Sequence, residues 1–423
     1  MPRQVWLCAS LALAGSLAAP LCAQKAWTWA ELRDRFQASN PTFHAAQLNV
    51  DEARDQEITA YLRPNPDYTL TTDGNQFAPH EGVWQPFSGT LFINNISYLH
   101  EREHKRELRL QAAQANTHVT EFQRDDQLRN LLFNLRSGFV QALQAKAVLE
   151  VARENLAYYD RTLEVNRLRF KAGDIAQVDL DRLELQRIQF QSDVLTAETN
   201  LRTAKIQLLM LLNDRTPVAQ FDVTGPFDFQ ETLMSLQDLR DSAVATRPDL
   251  QAAIRSVQMA KVSHQLAIAN GSTDPIFSGW WTHNGSFSNP QAINTLGVAV
   301  SIPLRIFDRN QGEKARTEVD IRRNERLEDA SRAQVFNDVD SAYVTLENNL
   351  ALLRPYKSTF LALASRVRDN VSFSYQHGGA SLLDFLNAQN DYRTVQLNYV
   401  NLVGAYLTAA AQLDLAVGKE VIP

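Results

Sequence analysis

The sequence predicts a mainly α-helical fold with membrane β-structure, arranged as two tandem copies of one helix–strand–strand–helix–helix unit. Three observations predict it. Short motifs recur in the same order about two hundred positions apart, two pairs of segments alternate with a period of two, and very long stretches run without proline.

The duplication comes first. Ala38-Ser39-Asn40-Pro41-Thr42-Phe43-His44-Ala45-Ala46 recurs as Ala245-Thr246-Arg247-Pro248-Asp249-Leu250-Gln251-Ala252-Ala253. Further on, Phe170-Lys171-Ala172-Gly173 recurs as Tyr375-Gln376-His377-Gly378, with an aspartate, Asp179 or Asp384, six residues after each glycine. The first copy is assigned to 24–230 and the second to 231–423.

In the first copy, residues near 28–62 read as helix, ended by Pro64 and Pro66. Strands follow near 67–76 and 89–99, separated by a loop containing Gly, Pro and Asn. The second copy offers strands near 275–284 and 294–303. In the last of these, Leu296, Val298, Val300 and Ile302 share one face, and Thr295, Gly297, Ala299 and Ser301 share the other. That pattern suits a barrel wall with lipid outside and water within. It equally suits a half-buried sheet, and alternation alone does not separate the two.

The helices separate them. No proline interrupts 104–170, which at ~1.5 Å per residue reaches roughly 100 Å. The helices after the two glycines carry apolar residues spaced by three and four, among them Leu180, Leu183, Phe190 and Ala197, and Phe385, Ala388, Tyr392 and Val395. These are coiled-coil packing seams rather than a site. Four strands cannot close a barrel, and open edges are not tolerated in lipid, so such a chain must pool its strands with other copies.

Composition narrows the class further. The chain has 423 residues, 44% hydrophobic and 21% charged, with a formal net charge of −6 and no Lys/Arg block, which argues against a nucleic-acid partner. Residues 1–23 read as a secretory signal, with Arg3 before an apolar Val5–Ala19 stretch too short to span a bilayer. Cleavage after Ala23 is favoured over lipidation at Cys22, because Ala19-Pro20-Leu21 fits a lipobox poorly. Both cysteines, Cys8 and Cys22, lie in this segment, which leaves the mature chain without a thiol. No long uninterrupted apolar run follows, so no mature transmembrane helix is expected.

One motif suggests catalysis. His100-Glu101-Arg102-Glu103-His104 matches the HExxH pattern of zinc proteases, which needs both histidines on one helix, a third ligand and a dry pocket. Here it follows a strand, amid Lys105, Arg106 and Glu107, and reads instead as a solvated charged collar. His264, His283 and His377 have no ligand spacing, and neither a phosphate loop nor a Ser/His/Asp signature appears. The chain is read as a non-enzyme without cofactor or metal site.

In its Asn40-Pro41 and Arg247-Pro248 pairs, its Ser301-to-Gly312 segment (SIPLRIFDRNQG) and its two Gly-x5-Asp turns, the sequence resembles the TolC family of outer-membrane efflux proteins over essentially the whole mature chain. That resemblance implies a homotrimer with a twelve-stranded β-barrel in outer-membrane lipid and an α-barrel channel in the periplasm. It also implies a periplasmic adaptor (membrane fusion) protein and an inner-membrane pump as partners, in a tripartite efflux system. Arg309-Asn310-Gln311-Gly312, and Lys105-Arg106 in the matching place, are similar to the heavy-metal cation efflux (CzcC-like) branch, although polar capping at a loop–helix junction would explain them too.

Carried over residue by residue, the resemblance places Gly173, Asp179 and Gly378 at the periplasmic tip where the adaptor docks. It places Tyr375, Asp384 and Asn387 at a pore constriction, with Tyr375 and Asp179 among the residues that hold the entrance closed. The family's tip arginine falls at Ala380, and its second aspartate ring falls at Asn387. A glycine cap at each turn is the purely structural alternative. The competing functions are an exit duct of a type I protein-secretion system, which shares this architecture, and a non-pore periplasmic coiled-coil scaffold.

Overall fold

A computed structural model describes residues 26–231, 233–284 and 293–422. The predicted signal segment and Cys22 lie outside the described residues.

The described residues open with a short strand β1 (Ala26–Trp27) and helices α1 (Trp29–Ser39) and α2 (Pro41–Tyr61). The sequence predicts one helix over 28–62. The break at Asn40 arises because the residue before a proline is pushed into extended conformation (ψ 116°), and Pro41 then opens a new helix. Asn40 caps that helix by accepting from the Phe43 backbone N–H at 2.9 Å.

Strands β2 (Asp67–Asp73) and β3 (Leu91–Leu99) follow, then α3 (Lys105–Ala172), whose 68 residues span ~100 Å, and α4 (Gln177–Leu211). A short strand β4 (Asp222–Val223) pairs in parallel with β1.

The same order then recurs. Helices α5 (Leu236–Thr246) and α6 (Pro248–Ala269) break at Arg247, again in extended conformation. Arg247 makes no side-chain cap. Its buried guanidinium forks to Asp249 and Asp338 and reaches the Ala416 carbonyl, so one backbone kink is secured by two different side-chain solutions. Strands β5 (Ile276–Asn284) and β6 (Asn294–Ser301) lead to α7 (Gln311–Pro355), a π-turn (Tyr356–Phe360), α8 (Leu361–Gln376) and α9 (Leu382–Val417). The π-turn begins where Pro355 removes a backbone donor, a defect absent from the continuous α3.

The four longer strands form one antiparallel sheet of order β2-β3-β5-β6. Pairing brings Tyr68 opposite Ile96, Phe277 opposite Val300 and Trp281 opposite Leu296 on one face. On β5 the apolar side chains Phe277 and Trp281 are the more exposed, while Ser278 and Thr282 on the other face are less so. The less exposed face also carries Ile276 and Trp280, yet large apolar side chains on the more exposed face are not what a sheet in water presents. Both edges, β2 and β6, have no strand partner among the described residues, so the sheet is open.

Two repeat cores hold the helices. One packs Leu32, Phe36, Leu135, Phe139 and Leu208. The other packs Leu239, Leu250, Val339, Leu346 and Tyr406. The predicted seams are buried at Leu183, Phe190, Ala197, Phe385, Ala388 and Leu413. Helix α9 buries a second stripe as well, through Val400, Val403 and Gly404, because it packs on both α3 and α7.

One helix departs from the expectation that no mature segment is apolar enough to span a membrane, and its double burial explains why. By length and composition α9 is apolar enough to cross a membrane, but 56% of its most apolar window is buried against neighbouring helices. Its hydrophobicity serves the bundle core.

Candidate functional site

The two glycine turns end their helices in the same way. Gly173 and Gly378 take φ of 85° and 80°, a left-handed conformation open to glycine at little cost. Beyond the helix ends, Asp174 donates its backbone N–H to Arg169 at 2.9 Å and Gly379 donates to Ser374 at 2.7 Å, closing matching Schellman caps. A Cβ built at either glycine would meet nothing within 4 Å, so backbone conformation alone selects glycine there. One buried cluster joins both turns, packing Leu163, Leu180 and Leu183 from the first copy against Tyr375, Leu382 and Phe385 from the second.

Beyond the turns the copies diverge. Ser381 and Asp384 form a capping box, in which Ser381 Oγ donates to Asp384 Oδ2 at 2.7 Å and the Asp384 N–H donates back at 3.2 Å. Ser381's hydroxyl and backbone N–H hold the Asp384 carboxyl below its ordinary value. In the first copy Ala176 stands where Ser381 stands in the second, so Asp179 has the same helix position without a capping box. Asp384 and Asn387, one turn apart, are both exposed on α9.

Tyr375, in contrast, is buried. It is 6% exposed, stacked on Phe385 at 5.0 Å, and donates its hydroxyl to Asn166 Oδ1 at 3.0 Å. Burial pushes its phenol pKa up. Tyr375 therefore braces α8 against α3 inside the tip of its own chain. Its partner Asn166 carries no motif, and only the structure reveals it.

At the opposite end of the helices, the HExxH segment is a strand–helix elbow. His100 follows β3 and His104 sits at φ 53° just before α3, so the two histidines share no helical face. Glu101 is engaged bidentately by Arg109. Lys105, 3% exposed, reaches Asp274 Oδ2 at 2.5 Å and the Ser272 carbonyl at 3.1 Å. Burial opposes ionisation of Asp274, but the Lys105 ammonium and the Arg102 backbone N–H outweigh it and hold the carboxyl below its usual range. The collar predicted as solvated is thus partly buried and tied to the second copy.

The matching elbow places Asn310 at φ 60° before α7, again without a side-chain cap. The polar residues at these junctions form left-handed turns and do not cap the helices. Among the described residues no three His, Asp, Glu or Cys side chains gather as a metal site.

Long helical hairpins joined end to end with an open sheet whose apolar face points outward define a membrane channel subunit. The outer membrane efflux protein family model matches residues 32–214 and 239–419, and the chain belongs to that family. It is an outer-membrane efflux channel protein, with its sheet in the outer membrane and its helices in the periplasm.

Among its relatives is the cobalt-zinc-cadmium resistance protein CzcC of Cupriavidus metallidurans, 22% identical over 385 residues, covering 90% of this chain and 87% of CzcC. Outer membrane protein TolC of Salmonella enteritidis is 22% identical over 394 residues, covering 88% of this chain and 77% of TolC. The chain's fold matches the solved structure of CusC with a TM-score of 0.77 at 18% identity, covering 92% of each chain. It also matches VceC of Vibrio cholerae, with a TM-score of 0.75 at 15% identity over 93% of this chain and 97% of that one.

Proposed function

We propose that three copies of this chain join β6 of one to β2 of the next, closing a twelve-stranded barrel continued by a helical tunnel. The observation that carries this reading is the open sheet, whose two edges have no strand partner among the described residues and whose more exposed face is apolar. A pore-free scaffold has no use for such a face. The duct is passive and catalyses nothing. An inner-membrane pump supplies the energy, and a periplasmic adaptor docks at the tip formed by the Gly173 and Gly378 turns and Asp179. Exposed Asp384 and Asn387 line the entrance constriction, with Asp384 supplying one carboxylate per copy.

Divalent metal cations are the proposed cargo. The name of CzcC supports this, as do the Arg309-Asn310-Gln311-Gly312 and Lys105-Arg106 junctions. A deletion strain tests it by its sensitivity to zinc, cobalt and cadmium salts compared with drugs and detergents. Selective metal sensitivity supports the reading. Sensitivity to drugs alone, or a block in protein secretion alone, overturns the cargo assignment.

A further inference from the structure

The apolar alternation of β6 does not stop with the sheet. Its last paired residue is Ser301, opposite Ile276, and Pro303 has no N–H to continue a ladder. Yet Leu296, Val298, Val300, Ile302, Leu304 and Ile306 are all exposed, so exposed apolar side chains continue five residues past the last pair, through a turn in which the Ile306 N–H donates to the Leu304 carbonyl at 2.9 Å. Leu304 is 78% exposed, and Phe307, next to Ile306, is 91% exposed.

The segment is held in place. Thr273 Oγ1 donates to the Pro303 carbonyl at 3.2 Å, Arg309 Nε donates to the Arg305 carbonyl at 3.2 Å, and Asn310 Nδ2 donates to the Ala267 carbonyl at 2.7 Å. A protruding apolar tip on an anchored loop costs exposed area in water unless something apolar covers it.

The duplicated copy shows that this is no requirement of the elbow. Counting back from the matching left-handed residues Asn310 and His104, Ile306-Phe307 stands where the first copy has His100-Glu101, and Glu101 is tied down by Arg109. The same turn can therefore be built from polar residues.

We propose that Leu304, Ile306 and Phe307 form a membrane-interface anchor, inserted among the phospholipids of the periplasmic leaflet beside the barrel. Continuity with the lipid-facing row of β6 selects lipid as the occupant. Exposed Arg309, in no ion pair with a described residue, follows Phe307 by two positions and suits the headgroup phosphates at that depth. The anchor fixes how far the barrel can slide along the membrane normal. In the assembled channel, apolar and charged elbows alternate around the rim. This inference rests on the reading of the sheet as a lipid-facing barrel wall.

Cys8 and Cys22 both precede the predicted mature start at Gln24, so an introduced cysteine is unique. The test places a polarity-sensitive fluorophore on Phe307→Cys, on Leu304→Cys, on Glu103→Cys in the charged elbow, and on Val298→Cys in β6. Each labelled protein is reconstituted in phosphatidylethanolamine–phosphatidylglycerol vesicles containing lipid spin-labelled near the headgroup, with iodide as the aqueous quencher.

The expected result is lipid quenching several-fold stronger at 304 and 307 than at 103, with iodide quenching in the reverse order. Strong iodide quenching at 307 overturns the anchor. So does protection from both quenchers, which would mean that a second copy covers the loop. Position 298 keeps the failures distinct: lipid contact at 298 without contact at 307 rejects the anchor alone, and no lipid contact at 298 rejects the barrel reading itself.

Discussion

Tyr375 and Asn166 are joined by a buried hydrogen bond of 3.0 Å that ties the second copy to the first at the tip of the helices. Asn166 also donates to the Thr162 carbonyl at 2.9 Å, which fixes its amide orientation and leaves its oxygen for the tyrosine. The bond joins α8 to α3 within a single chain.

Removing it is predicted to loosen the tip without unfolding the protein. Tyr375→Phe leaves a buried amide oxygen unsatisfied, a cost of about 1–3 kcal/mol, while preserving the stack on Phe385. Hydrogen exchange should quicken in the segments around Gly173 and Gly378 and remain unchanged in the two repeat cores. Uniform protection in the variant would show that the bond carries no weight.

Asp384 is predicted to govern ion preference. With one carboxylate per copy at the proposed entrance, Asp384→Asn should reduce cation selectivity and block by divalent ions in bilayer recordings, with a smaller change in conductance. The substitution also weakens the capping box with Ser381, so thermal stability must be measured on the same protein. Lowered stability with unchanged selectivity would leave Asp384 a helix cap and nothing more.

Asp414 is predicted to make stability depend on pH. Burial pushes its carboxyl up to about 6, against the opposing pull of the Val421 and Ile422 backbone N–H groups and of Arg136, and with Glu420 adding like charge. The folded chain therefore holds a proton that an unfolded aspartate, with pKa about 4, releases. Stability from this group falls as pH rises from about 4 to 6, and the penalty is fully present above 6. Asp414→Asn should raise Tm at pH 7.5 and change it little at pH 4. An equal shift at both values would contradict this.

The HExxH segment is predicted to be inert. His100→Ala and His104→Ala, singly or together, should leave export intact and the purified protein free of zinc, since the two rings share no helical face. Stoichiometric zinc that disappears with these changes would revive the metalloprotease reading.

What could be read directly from the sequence was local. Gly173 and Gly378 announce left-handed caps and the strands lie within three residues of their expected bounds, whereas the break at Asn40-Pro41 falls inside a stretch that the sequence reads as one helix. What could not be read depends on partners far along the chain. Lys105 looks like a surface charge until the fold brings Asp274, 169 positions away, beside it. Tyr375 gives no sign of its partner until the fold brings Asn166, 209 positions away, to accept its hydroxyl. Asp414 gives no sign of burial because it ends a helix whose other faces are covered by α3 and α7. Periodicity reports one stripe of a helix well, and α9 has two.

Oligomeric state in detergent tests the central claim most directly, because among the described residues one chain's antiparallel sheet has four strands and two open edges. Light scattering on protein extracted from outer membranes should find a single species of three chains that loses solubility when detergent is withdrawn. A monodisperse monomer in detergent-free buffer would contradict the account.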